Sequence, residues 1–185
     1  MANKVEFGIS QLHVATYTVE NGTVTIGTPY HQPGAVSFSP EENSEQNTFY
    51  ADNIAYWSGY SGGTIEGDLE VAMFDDAFKT QFLGYRALTD GGLANVKNAT
   101  KPNVAIFFQV EGDSESRRVA LFNCSLGAIT REYNTIEESK EPTTETLPVT
   151  CTGDNASGVT MAVYKPSDTG YATLFTAPTA PQIAP

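Results

Sequence analysis

Apolar and polar positions alternate with a period of two along much of this chain, which predicts strands with one buried face. Residues 64–73 (TIEGDLEVAM) show it most cleanly: Ile65, Leu69, Val71 and Met73 face one way, and Thr64, Glu66, Asp68 and Glu70 the other. Residues 104–111 (VAIFFQVE) are too apolar for a half-wet strand and predict a central one. Residues 118–126 (RVALFNCSL) return antiparallel to it after a turn at Gly112-Asp113-Ser114. Residues 145–152 (ETLPVTCT) form a further strand with Leu147, Val149 and Cys151 inward. Pro148 cannot donate to a ladder, so that strand is expected at an edge or with a bulge. Near the start, Asn21-Gly22 separates two β-rich runs, and a type I′ turn there pairs Val19 with Val24 and Tyr17 with Ile26.

One helix interrupts the strands. Asp75-Asp76 supplies an N-cap and a charge that suits the helix dipole. Phe78, Phe82 and Leu83 make its apolar stripe, and Gly84 is the stop, over about three turns. Many strands and one short helix predict a mainly β fold, an antiparallel sandwich or barrel-like domain with a flanking helix. The domain is expected over residues 1–165, with a C-terminal arm and Pro-rich tail over 166–185. Within that tail the apolar patch is Tyr171, Leu174 and Phe175.

Residues 39–63 are expected to be a long connection, of a length that is usually functional or disordered. Its first part, 40–47, is acidic and polar. Its second, 48–60 (TFYADNIAYWSGY), carries aromatic residues that a disordered linker lacks, and it suits a small hairpin turning over Ala51-Asp52-Asn53-Ile54. Tyr50, Tyr56, Trp57 and Tyr60 either fold back on their own domain or meet a partner. Trp and Tyr are enriched in interfaces, which favours the partner.

Charge narrows the function. The 185 residues carry 22 acids and 10 bases, a net charge of −12. A nucleic-acid binder needs clustered Lys and Arg, which this chain lacks. Glu66, Asp68 and Glu70 lie about 6–7 Å apart on one strand face. An ordinary solvated face explains them, and so does a surface that repels another polyanion. No apolar stretch near Met1 has the form of a signal peptide, and none is long enough to span a bilayer, so synthesis as a soluble cytosolic chain is expected. Cys124 and Cys151 are then expected as two buried thiols rather than a disulfide.

Catalytic motifs are weak. Gly59-Tyr60-Ser61-Gly62-Gly63 matches G-x-S-x-G, but a nucleophile elbow needs a helix after the Ser and a later His, and His31 is the last histidine. His13 and His31 are too few for a His-based metal site. Glu137-Glu138 is a solvated charge run. No catalytic, cofactor or metal residue is nominated.

Several stretches resemble the major tail protein, or tail tube protein, family of phages with long non-contractile tails. They are residues 47–56 (NTFYADNIAY), 60–72 with its EGDLEVA core, 117–125 (RRVALFNCS) and 137–147 (EESKEPTTETL), with 171–175 resembling the family's end. They run in the family's order from about residue 4 to 175. Pro148 departs from the pattern, and 176–185 look like a private extension.

The resemblance implies a β-sandwich flanked by a helix, six copies to a ring, and rings stacked into a tube through which double-stranded DNA passes without specific binding. It implies that the loop at about 40–63 and the terminal arms bridge rings. The candidate contacts are then Phe49, Tyr50, Asp52, Asn53, Tyr56 and Trp57, with Tyr171 and Phe175 at the C-terminus. Glu66, Asp68 and Glu70 become candidates for the lumen wall. Expected partners are the chain itself and the tape measure, terminator and distal tail proteins, with no membrane. The expected location is the virion tail, after synthesis in the host cytoplasm. The competing reading is a carbohydrate-binding or adhesin-like sandwich of a phage tail, using the same aromatics as a sugar platform.

Overall fold

A computed structural model gives the fold and describes residues 8–44, 46–60, 62–112, 115–133, 135 and 142–184. The strands are β1 (Gly8–Glu20), β2 (Thr23–Ile26), β3 (Tyr30–His31), β4 (Ala35–Asn43), β5 (Gln46–Ala51), β6 (Ile54–Tyr60) and β7 (Thr64–Val71). Helix α1 (Asp76–Phe82) follows, then β8 (Arg86–Ala87), β9 (Leu93–Ala94), β10 (Asn103–Glu111), β11 (Arg118–Leu126), β12 (Thr130–Arg131), β13 (Glu145–Cys151) and β14 (Met161–Tyr164). The main sheet runs β2-β1-β10-β11-β13-β7-β4, every neighbour pair being antiparallel. It folds over itself, so that Phe38 of β4 meets Phe108 of β10 edge to face, with ring centroids 5.8 Å apart.

Local chemistry sets the punctuation. Asn21 and Gly22 both have positive φ (51° and 78°), and the β1–β2 register pairs Val19 with Val24 and Tyr17 with Ile26 as expected. Asp75 caps α1 by accepting the Phe78 N–H at 2.9 Å, and its second oxygen accepts the Tyr30 hydroxyl at 2.6 Å. Gly84 ends the helix with φ +72°. The helix has 7 residues, two turns rather than three. It places Phe78 and Phe82 in the core beside Phe74, the centroids of successive rings lying 4.8 and 5.1 Å apart.

Two apolar clusters hold the sheet. The larger lies between the folded layers and under α1, with Leu12, Val14, Leu69, Ile106, Leu121 and Leu147 fully buried. The smaller lies on the opposite face of β1, β10 and β11, where Leu174 covers Ala15, Ala105, Phe107, Ala120 and Phe122. Covering on both faces is why β10 has no polar alternation.

Glu145 ties the helix to the sheet. Its carboxylate accepts the Phe74 N–H at 2.8 Å and pairs with Arg131 at 2.7 Å and Lys79 at 3.8 Å, with Lys79 and Glu145 both buried. Such a bracket is weak evidence for net stability, but removing one partner leaves buried charge uncompensated.

Four further expectations need correction. Residues 39–43 are not loop: they belong to β4, which pairs with β7 from Ala35↔Val71 to Asn43↔Thr64. Met73 lies past the end of β7 and is exposed. β13 is no edge strand, since it lies between β11 and β7. The Pro148 carbonyl accepts the Gly127 N–H at 2.8 Å, so its nitrogen faces the same side, where the ladder breaks between β11 and β12 and asks for no donor. Finally, Cys124 and Cys151 are buried but joined as a disulfide, because β11 pairs with β13 in the register that sets them directly opposite. Residues 1–7, Asp113, Ser114, Ser61 and Glu137-Glu138 lie outside the described residues.

Candidate assembly surfaces

Strands β5 and β6 form a two-residue hairpin that continues outward from the Asn43↔Thr64 end of the β4–β7 pair. Its turn is Asp52-Asn53, with φ of +52° and +61°. Asp and Asn tolerate the left-handed region that a type I′ turn requires. Phe49 sits directly across from Trp57. Phe49, Tyr50, Ile54, Tyr56, Trp57 and Tyr60 are 57–73% exposed, and none belongs to either core cluster. Six of the eight sequence candidates for subunit contact are thus brought together on one projecting element.

The other two are elsewhere. Tyr171 and Phe175 pack on their own sheet, around Arg118 of β11. The guanidinium carbon lies 4.0 Å from one ring centroid and 4.1 Å from the other. Arg118 also donates to the Tyr171 carbonyl at 2.6 Å, and the Tyr171 hydroxyl donates to the Ser116 carbonyl at 2.7 Å. Phe175 stacks on His13 with centroids 4.4 Å apart, and burial, with Arg118 and His31 nearby, holds the imidazole below its ordinary pKa. Cation–π contacts and the burial of Leu174 therefore anchor this segment to the domain.

Glu66, Asp68 and Glu70 line the outer face of β7. The positions across from them are Glu41, Ser39 and Ser37 on β4, and Thr150, Pro148 and Thr146 on β13, so no base lies opposite. Glu70 accepts hydrogen bonds from Thr144 and Ser37, which lower its pKa. Asn43 donates to Glu66 at 3.4 Å. Glu41 adds a fourth acid, which sequence reading missed because it placed residue 41 in a loop.

A further surface had no sequence signal. Where the layers splay apart, a largely apolar cleft of about 540 Å³ opens between β4 and the β10–β11–β14 side. Phe38, Phe108 and Val119 form its floor, while Val36, Met161 and Val163 stay 47–48% exposed at its rim. Arg117 is its one charged lining residue. Opposite it in character is the polar bracket of Asp154, which accepts from the Tyr17 hydroxyl (2.9 Å), the Ser157 hydroxyl (2.7 Å) and the Ser157 and Ala156 N–H groups. Burial would raise that carboxyl, but these donors outweigh it and lower the pKa. Among the described residues no group of three or more His, Cys, Asp or Glu is placed to hold a metal.

Comparison with known proteins agrees with the architecture. Two solved structures share it at low sequence identity. The cap that terminates the anti-feeding prophage tube matches with a TM-score of 0.51 and 10% identity, over 88% of this chain and 95% of that one. A chain of the PVC extracellular contractile injection system, from its sheath–tube complex in the extended state, matches with a TM-score of 0.50 and 10% identity, over 87% and 94%. No curated protein matches the sequence. The family model described as phage tail tube protein matches residues 2–166, which takes in both layers of the sheet, the aromatic hairpin and the acidic face. The chain belongs to the phage tail tube protein family.

Proposed function

We propose that this structural tail tube subunit closes into six-membered rings, and that the rings stack through the β5–β6 hairpin into a conduit for double-stranded DNA. The observation that carries the reading is the hairpin. A two-stranded ribbon is marginal in water by itself, and this one shows six large apolar side chains to solvent. A protein with a well-filled core has no need of such an element unless another chain covers it. Phe49, Tyr50, Asp52, Asn53, Tyr56 and Trp57 are the contacts, and Tyr171 and Phe175 hold the C-terminal segment on its own sheet. Tape measure, terminator and distal tail proteins are the further partners, and the role is architectural, without a catalytic step.

The acidic face supports the conduit. Glu41, Glu66, Asp68 and Glu70 form a negative stripe without opposed bases, and repeated around a lumen it would keep phosphate from adhering. Fields of exposed charges reach only about 8 Å at physiological salt, so the stripe acts on DNA only if it faces the lumen.

Negative-stain microscopy of the purified protein tests the assembly, with stacked rings or tubes expected and monodisperse small particles refuting it. Glu66→Lys with Asp68→Lys, leaving the hydrogen-bonded Glu70 intact, tests the lumen assignment. Mutant tails should retain DNA or eject it slowly, and less so as salt rises. Normal, salt-independent ejection would place these acids on the outside.

A further inference from the structure

The chain carries two exposed apolar features of opposite shape, a projecting hairpin and an open cleft. We propose that the hairpin of one subunit seats in the cleft between β4 and the β10–β11–β14 side of a second copy. The inference rests on the reading of the hairpin as a subunit contact and names its receptor.

Area and charge both point to this occupant. Aromatic side chains carry about 150–250 Å² each, so at the observed exposures the five rings leave roughly 600 Å² open. That approaches the share of about 800 Å² that one partner contributes to a standard interface. The cleft, about 540 Å³ with Val36, Met161 and Val163 half open, offers an apolar seat for part of that surface. Hairpin residues 46–60 contain one charged side chain, Asp52 at the tip, and the cleft lining contains one, Arg117. The lining holds no acid, so Asp52 meets no like charge there. A knob and a socket on different parts of one chain make a heterologous contact, which propagates from copy to copy instead of closing as a two-fold dimer.

The test uses photo-crosslinking in assembled protein. Phe49 is replaced by benzoylphenylalanine, which preserves an aromatic ring, and light and heavy isotope-labelled subunits are mixed before assembly. Irradiation should give mixed-isotope crosslinks from residue 49 to peptides containing residues 36–40, 108–119 or 161–163. Mixed crosslinks to any other surface would overturn the cleft while keeping the hairpin as a subunit contact. Crosslinks within one copy, or to another tail protein in whole tails, would overturn it as well. Wild-type protein that forms no tubes or rings would instead remove the underlying assembly reading. Independently, Val163→Glu should leave the monomer's melting transition in place and raise the protein concentration needed for tubes at least tenfold. Mixed with a Phe49→Ala, Trp57→Ala variant, it should give paired rings that do not extend, because one intact knob meets one intact socket. Normal tubes from Val163→Glu alone would refute the proposal.

Discussion

Replacing Phe49 and Trp57 by Ala separates the two roles an aromatic residue can have. Both rings are more than half exposed, at 60% and 57%, and they face each other across β5 and β6. If a partner covers them, each loses roughly 100–140 Å² more to burial. At about 25 cal/mol per Å² that is about 3 kcal/mol per ring, and close to 6 kcal/mol for the pair. Area converts incompletely in association, so about 2 kcal/mol is a safer floor, on the scale of an interface hot spot. Each 1.4 kcal/mol is about tenfold in affinity, so the double variant should need tens of times more protein to form tubes. The monomer should be affected little, because substitutions away from the core usually stay within about 0.5 kcal/mol. The assays are sedimentation of tubes against protein concentration, and urea unfolding of the monomer. Wild-type assembly by the variant would refute the partner reading. A loss of more than about 2 kcal/mol in the monomer would show that the rings pack on their own domain.

Two further predictions concern the domain itself. Glu145→Ala strands Lys79 and Arg131 beside a buried strand, and should lower unfolding stability by about 3–5 kcal/mol in urea titration; a loss under about 1 kcal/mol would mean that water reaches the bracket. The Cys124–Cys151 bridge spans 27 residues of sequence, and its removal should cost about 2–4 kcal/mol; alkylation of both cysteines in unfolded, unreduced protein, read by mass, would show that no bridge exists.

What the sequence made legible was local. The Asn21-Gly22 turn, the Asp75 cap and the Gly84 stop each depend on a few adjacent residues, and each stands where it was expected. The aromatic hairpin was legible for the same reason, with Asp52-Asn53 at its tip. Strand β4 was not, because Pro40-Glu41-Glu42 has no strand propensity and little burial; the ladder from β7 holds it extended. The error hid Glu41. The disulfide was missed because nothing in either Cys-bearing run says that β11 and β13 are neighbours. The cleft was missed because its walls come from five strands separated in sequence, and Val36, Met161 and Val163 look individually like ordinary surface residues. Tyr171 and Phe175 were visible as a patch, but their attachment to Arg118 depends on a fold-back that aromatic content alone does not specify.

Charge and shape divide the surface in a way that assembly explains. A subunit with net charge −12 repels its copies, and a ring multiplies the effect. Association then requires contact surfaces from which acids are nearly absent. Residues 46–60 carry only Asp52, and residues 166–185 carry only Asp168, in a chain where acids outnumber bases by 22 to 10. Four acids instead share the outer face of the β4–β7 pair, where Glu41 stands opposite Glu66. Such a like-charge pair is unfavourable across a ladder unless the face stays wet. Salt screens both arrangements, but with opposite consequences. It should ease tube formation by weakening repulsion between subunits, and it should release DNA from a lumen made basic by substitution. One titration of ionic strength therefore distinguishes the apolar subunit contacts proposed above from the electrostatic contacts proposed with DNA.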